Sequence, residues 1–411
     1  KAETEIEEQL LKIYRNILGK EIYINSNYFD YGVSSIMMLK ILALIKSTFG
    51  VSIEMSTLFE SQNIKNLAKI IEQKEADFEQ TTYPIVKPDI NNKYAQFPLT
   101  EIQMAYLLGR NEEYELGGVA THAYIEIKTN WDIARLNRAL KKVIKKHDMM
   151  RAIFIDNHQQ ILETVPDYVI AIEDLSELED DTIQKRLMEE RDRMSHYVFE
   201  PSQWPLYEFK AMKCNAETHY LLIGLDMLLI DAASLDMMAT ELMNFYENEE
   251  LEVEELEFSF RDYVLAYKEF KNSDTYKKDK EFWLNKLYDF PNSPNLPTKV
   301  NVSQIDKANF HRVDKLINHE KWEKIKTVAA QHNVTVSAMF CTIYLEVLAF
   351  WSNQPKLAIN LTVVNRCPFH KDVDKLIGDF TSVIPLDADI NESDTFWARV
   401  KKVQNTIMDG L

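Results

Sequence analysis

At roughly 150 residues per domain, a chain of 411 residues has room for two or three domains, and its 46% hydrophobic and 11% aromatic content supplies packed cores. Aspartate and glutamate number 65 against 47 lysines and arginines, so the formal net charge of −18 would on average repel a nucleic-acid backbone. Glycine is sparse at 9 residues, no GxGxxG or GxxxxGK[ST] string occurs, and no apolar run reaches the roughly 18 residues of a membrane span. Three cysteines without CxxC spacing and nine histidines without HxH or HxxxH spacing point to neither a disulfide framework nor a metal site, and the cytoplasm is the expected compartment.

Residues 1–76 read as a bundle of four helices. Ile6, Leu10, Ile13, Tyr14 and Ile17 fall at helical spacing before Gly19, which stands where a left-handed cap is wanted. A second helix is predicted over Ser35–Phe49, stopped by Gly50; a short third lies around Thr57 and Phe59; Ile64, Leu67, Ala68 and Ile71 mark a fourth. Over residues 77–96 the periodicity fades and Pro84 and Pro88 interrupt it, which is the composition of a linker. From Phe97 on, strand-like stretches at 123–127 and 151–155 accompany an amphipathic helix carrying Ile133, Leu136, Leu140, Val143 and Ile144, so 97–257 is expected to be a mixed α and β lobe. Seven glutamates between Glu247 and Glu257 read as a solvated connection. A second lobe is expected over 258–411, with helices around 322–330 and 336–351, a strand over 357–364, and a last helix carrying Phe396, Val400, Val403 and Ile407.

The string Tyr28-Phe29-Asp30-Tyr31-Gly32-Val33-Ser34-Ser35-Ile36 puts a serine at the start of the second helix, after a flexible turn. Helix capping is one use of such a serine. The whole module resembles a peptidyl carrier domain of nonribosomal peptide synthetases, in which a serine at the place of Ser35 carries a 4′-phosphopantetheine arm. Ser34 and Val33 depart from the family pattern, which more often has an acidic residue or histidine and a glycine there. Free N–H groups and the helix dipole at such a start favour a phosphodiester.

Two carboxylates five apart, Asp226 and Asp231, follow an apolar strand-like run, with Ser234 three residues on. They are either catalytic or paired for structure, since an unpaired buried carboxylate is costly. Phe97-Pro98-Leu99-Thr100 with Gln103, Tyr106, Gly109 and Arg110 is similar to the opening signature of heterocyclization domains, relatives of condensation domains. Ordinary condensation domains carry a His-His-x-x-x-Asp-Gly motif; here Asp226 and Met227 stand in place of the histidines, and Asp226, Asp231 and Ser234 make the heterocyclization variant. Further matches are 146–152, 260–263, Asn360-Leu361-Thr362 through Asn365-Arg366, and Gly378-Asp379-Phe380-Thr381-Ser382.

The resemblance implies an all-α four-helix carrier bundle followed by a two-lobed α/β fold like chloramphenicol acetyltransferase, with a tunnel between the lobes. Asp226 and Asp231 are expected at its centre, Asp231 in an ion pair with Arg151 that would depress its pKa. Thr100, Tyr106, Arg110, Asn365, Asp379 and Ser382 are expected to line the tunnel, with turn and cap chemistry as the alternative for the last three. In this family the carrier presents an acyl or peptidyl thioester, a downstream carrier presents cysteine, serine or threonine, and the amide formed between them is cyclodehydrated to a thiazoline or oxazoline. Implied partners are downstream carrier and adenylation domains and a phosphopantetheinyl transferase. The late threonine and aspartate that assist ring closure are not found, so the chain is expected to be a truncated segment that does not cyclize alone. A condensation domain forming only linear amides, a coenzyme A-dependent acyltransferase, and a non-catalytic docking segment are the competing readings.

Overall fold

A computed structural model describes residues 2–33, 35–51, 53, 55–74, 83–114, 116–215, 218–305, 310, 313–390 and 393–411. The N-terminal body is the expected bundle: α1 (Glu5–Leu18), α2 (Ser35–Phe49), α3 (Met55–Ser61) and α4 (Ile64–Glu72). Thr4 caps α1 with its side chain, and Gly19 ends it in the left-handed region at φ 60°. Leu10 and Tyr14 of α1 and Leu67 and Ile71 of α4 meet Met38, Ile41 and Ile45 of α2 in one apolar core. Each such side chain contributes roughly 1.5–3 kcal/mol. The Tyr28 hydroxyl bonds the Ser61 hydroxyl at 2.7 Å, which ties the turn before α2 to the end of α3.

The larger body opens with β1 (Phe97–Pro98), α5 (Glu101–Leu108), β2 (His122–Thr129), α6 (Ile133–Lys146), β3 (Ala152–Ile155), β4 (His158–Ile161), β5 (Ala171–Asp174), α7 (Asp180–Ser195), β6 (Tyr207–Lys213), β7 (His219–Asp226) and α8 (Ala232–Glu247). Four strands form a sheet in the order β2-β7-β6-β5, antiparallel except for the parallel pair β5 and β6. β7 is apolar at nearly every position because both of its faces are covered. Leu221, Ile223 and Leu225 join the main core, whereas Leu222 joins Leu187 and Met194 of α7 on the other side. The register His122↔Asp226 places Asp226 at the end of this buried strand.

The chain continues through α9 (Phe260–Phe270), α10 (Asp274–Lys286), α11 (His319–Gln331), α12 (Val336–Ser352), β8 (Lys356–Val364), β9 (Thr381–Asp389) and α13 (Phe396–Gly410), with β8 and β9 paired antiparallel. The cores do not divide at 257/258. Phe258, Phe260 and Tyr263 from the start of the second half, with Phe369, Leu376 and Phe380 from the β8–β9 connection, belong to the first-lobe core, while α12, β8, β9 and α13 build a separate one. The glutamate-rich stretch after α8 is a strap held by ion pairs, Glu249 with Arg138 at 2.6 Å and Glu257 with Lys371 at 3.0 Å.

Of the linker expected over 77–96, residues 77–82 lie outside the described residues. The remainder is fastened to α9 and its surroundings: Tyr83 packs on Phe270 and Phe369, the Val86 N–H donates to the Phe369 carbonyl at 2.9 Å, and Arg261 pairs with Asp89 at 3.1 Å. The bundle rests on the second lobe. Ala330 of α11 packs into the bundle's core, Gln62 donates to Asn333 at 2.9 Å, and Lys40 of α2 reaches Asp374 at 3.5 Å. Among the described residues, no single helix is long and apolar enough to cross a membrane.

Candidate functional site

The Asp231–Ser234 segment is the joint between the two halves of the larger body. Asp231 caps α8, its Oδ1 accepting the Ser234 N–H at 2.6 Å, while its Oδ2 accepts the Phe380 N–H at 3.0 Å. The Ser234 hydroxyl donates to the Gly378 carbonyl at 2.9 Å and receives Arg366 Nη2 at 2.7 Å. Arg366 also donates from Nη1 to the Val373 and Leu376 carbonyls at 2.9 Å each, and its guanidinium lies 3.9 Å from the Phe380 ring centroid. Gly378 is obligatory for space: a Cβ there would stand 2.3 Å from Cδ2 of Phe260.

Asp226 is fully buried, with Oδ1 accepting the Leu228 N–H at 3.0 Å and Oδ2 the Arg110 guanidinium. Arg110 Nη1 donates to the Phe199 carbonyl at 2.7 Å, so this pair fastens the end of α5 to the first lobe. Burial pushes the Asp226 carboxyl above its ordinary value, and Arg110 opposes that push. Both motif aspartates therefore have both oxygens engaged.

The expected Arg151–Asp231 pair does not form. Arg151 instead donates to Asp148 at 2.7 Å, to the Lys145 carbonyl at 3.0 Å and to the Leu162 carbonyl at 3.2 Å, closing the C-terminal end of α6. Asp231 faces Arg366, at 4.0 Å, so the cation near it comes from the second lobe.

Beside the joint lies a cleft of about 530 Å³. Four expected tunnel residues line it: Thr100, Asn365, Asp379 and Ser382. Thr100 caps α5 in a capping box with Gln103, whose buried amide donates to the Leu228 carbonyl at 2.8 Å. The Asn365 carbonyl accepts the Tyr263 hydroxyl at 2.7 Å. Tyr106 is not among the lining residues, and Arg110 faces a different pocket beside Phe199. Arg366, Thr381 and Gly378 also belong to this site, and all three lie inside the strings 360–366 and 378–382 that carry the family resemblance.

Asp379 is 1% exposed, its Oδ1 accepts the Thr381 N–H at 3.1 Å, and its Oδ2 has no hydrogen-bond partner. Burial pushes its carboxyl up to about 7; the Thr381 side chain and N–H pull it down, and the nearby Asp231 adds to the rise. A carboxyl so placed is suited to exchanging a proton near neutral pH.

In the N-terminal body Gly32 sits in the left-handed region at φ 82°, three residues ahead of Ser35, which is the first residue of the 15-residue α2. Ser34 lies outside the described residues. A helix N-terminus after a glycine turn fits a phosphodiester on Ser35. Elsewhere, Glu257, His370 and Asp372 bring possible ligand atoms within 4.8 Å of one another, but Lys371 and Lys375 already bind in that acidic group.

Residues 8–71 match the family model of the phosphopantetheine attachment site, and residues 93–411 match that of the condensation domain. Bacitracin synthase 1 of Bacillus licheniformis is 37% identical over 410 residues, which cover 99% of this chain and 8% of that protein. Pyochelin synthetase PchF of Pseudomonas aeruginosa is 29% identical, covering 79% of this chain and 18% of that protein. Phenyloxazoline synthase MbtB of a Mycobacterium species is 31% identical, covering 76% and 26%. The chain thus spans a small part of these relatives. The EpoB nonribosomal peptide synthetase cyclization-docking bidomain from Sorangium cellulosum superposes with a TM-score of 0.76 at 30% identity, over 92% of this chain and 71% of that one. With a carrier domain on which phosphopantetheine is covalently attached and, behind it, a fold shared with that bidomain, the chain belongs to the condensation-domain family of nonribosomal peptide synthetases.

Proposed function

We propose that this chain is a carrier and heterocyclization segment of a nonribosomal peptide synthetase. The carrier (1–76) bears phosphopantetheine on Ser35, a linker (77–96) follows, and the two lobes (97–257 and 258–411) join the donor to cysteine, serine or threonine on a downstream carrier, then close a thiazoline or oxazoline. The arm supplies the donor acyl group as a thioester. Tethering both partners makes their meeting nearly intramolecular.

The observation that carries this reading is the Asp226-x4-Asp231-x2-Ser234 segment bound to Gly378-Asp379-Phe380, with Met227 where an amide-forming condensation domain has an imidazole. Names of relatives support it in the same direction: pyochelin synthetase, phenyloxazoline synthase and the EpoB cyclization bidomain. In this reading Asp226 and Asp231 position the walls, while Thr100, Asn365, Asp379 and Ser382 face the reacting groups. Downstream carrier and adenylation domains and a phosphopantetheinyl transferase are the partners, and the three free cysteines suit the cytoplasm.

The test is mass spectrometry of the intact chain after incubation with a phosphopantetheinyl transferase and coenzyme A. Wild type gains one arm and Ser35→Ala none. With loaded donor and a cysteinyl-carrier, the product identifies the reaction: loss of one water beyond the amide supports ring formation and overturns the expectation that this segment does not cyclize alone, whereas a linear amide alone agrees with that expectation and restricts the segment to amide formation.

A further inference from the structure

Joining an acyl thioester to an amine needs a proton carrier beside the reacting atoms, because the attacking nitrogen sheds protons as the amide forms and the departing sulfur takes one up. The cleft beside the lobe joint offers few groups able to serve. Lys268 and Lys271 on its rim are cations, and Lys271 pairs with the exposed Glu101 at 2.5 Å. Tyr263 is held well above the ordinary phenol range by burial, and its hydroxyl already donates to the Asn365 carbonyl. Tyr267 is likewise raised by burial. Of the two carboxyls among the described residues of the lining, Glu101 is exposed and bound to Lys271, and Asp379 is buried with a second oxygen that has no partner.

We propose that Asp379 is the catalytic proton carrier of the amide-forming step in this cleft, its unpartnered Oδ2 taking up the proton. This rests on reading the cleft as the place where donor and acceptor meet. In the step, a C–N bond forms between the amine lone pair and the acyl carbonyl carbon, and the acyl C–S bond breaks, its electron pair leaving on sulfur. Of the two protons that an α-ammonium sheds, one goes to water and the other passes from nitrogen to Asp379 and then to the departing sulfur, which leaves as a thiol.

The surroundings fit a group that must hold a proton and release it. Thr381 fixes Oδ1 through its N–H at 3.1 Å and leaves Oδ2 free. The charged and titratable groups around Asp379 come from every packed element: Asp231 at the start of α8, Tyr106 on α5, Tyr263 on α9 and Arg366 after β8. The carboxyl of Asp231 repels a second negative charge nearby, whereas Arg366 is already committed to Ser234 and two carbonyls. The balance places Asp379 at about 7, where both of its protonation states are populated under physiological conditions.

Two measurements on the whole chain test this. In the first, carboxyl carbons of aspartate are labelled with carbon-13 and titrated without any substrate; the resonance missing from Asp379→Asn is that of Asp379. It is expected to titrate near neutrality, and a midpoint in the ordinary carboxylate range overturns the proposal. In the second, Ser35 is loaded with an acyl group, the acceptor is the cysteine thioester of N-acetylcysteamine, and amide formation is followed against pH. Asp379→Asn should lower kcat about a hundredfold or more with little change in KM, and remove the rise in rate through neutrality. Asp379→Glu should restore part of that rise. Unchanged kcat in the asparagine variant, or no amide from fully loaded wild type, overturns the assignment. Linear amide without ring from wild type, still lost in Asp379→Asn, upholds it and assigns this segment the amide-forming step alone.

Discussion

Replacing Asp379 by asparagine removes an ionisable group while nearly keeping its shape, so the pH dependence of the change isolates what burial does to the carboxyl. An aspartate in an unfolded chain titrates near 3.9, whereas this one is pushed up to about 7 in the folded lobe. Between those values the folded state holds a proton that the unfolded state has released, so stability falls as pH rises, and levels off above about 7. Integrating the linkage relation gives a penalty near 1.5 kcal/mol at about pH 5 and near 4 kcal/mol at about pH 8, a growth of about 2.5 kcal/mol. Urea unfolding at the two pH values, followed by tryptophan fluorescence, measures it. All six tryptophans lie beyond residue 76, so the signal reports the larger body and not the carrier. Relative to Asp379→Asn, wild type should lose about 2.5 kcal/mol over this interval. Other titrating groups cancel in the comparison. A gap that stays constant, or that moves in wild type's favour with rising pH, refutes the burial argument.

Gly378→Ala should cost roughly 1–3 kcal/mol in the same unfolding assay, because its Cβ would meet Phe260 at 2.3 Å. Phe260→Leu in that background should recover part of the loss, and independent, additive effects would count against the clash. Asp226→Ala should destabilise the larger body by roughly 3–5 kcal/mol, since it leaves the Arg110 guanidinium buried and unpaired; an unchanged urea midpoint would mean that the pair holds nothing. Ala330→Glu should release the carrier from α11, where Ala330 is 8% exposed against the bundle's core. Small-angle scattering would show this as a larger radius of gyration, and identical curves for variant and wild type would deny the contact its role.

Local structure was legible wherever one residue type answers one physical need. Gly19 and Gly50 mark helix ends because a left-handed residue is wanted there, and both lie at positive φ. The i, i+3, i+4, i+7 pattern of Ile64, Leu67, Ala68 and Ile71 is the buried face of α4. Thr100 and Gln103 fall in a string that also forms a capping box. Partner choice was not legible. Arg151 and Arg366 are both buried arginines near motif residues, and nothing in their spacing says which one faces Asp231. That depends on the β8–β9 connection folding back so that 367–380 enters the first-lobe core, a long-range event with no local signature. The same fold-back explains why a boundary drawn at the glutamate-rich strap does not separate the cores.

In the proposed mechanism hydrogen bonding, more than motif position, sorts the three motif aspartates into structural and chemical roles. Asp226 and Asp231 each give both oxygens to named donors, one of them to a distant element: the Arg110 guanidinium for Asp226 and the Phe380 N–H for Asp231. Asp379 gives one oxygen to the Thr381 N–H and keeps the other free, so it can change protonation state while its anchor stays in place. A buried carboxylate is costly to leave half-satisfied. The cost is met here by the low-charge state that burial favours, which is also what makes the group responsive near neutral pH. The structural pair thereby sets the conditions for the third: Asp231, fixed by α8 and Phe380, holds a negative charge near Asp379 and opposes its ionisation. Removing that charge with Asp231→Asn should lower the Asp379 titration midpoint, even though residue 231 touches no substrate in this mechanism.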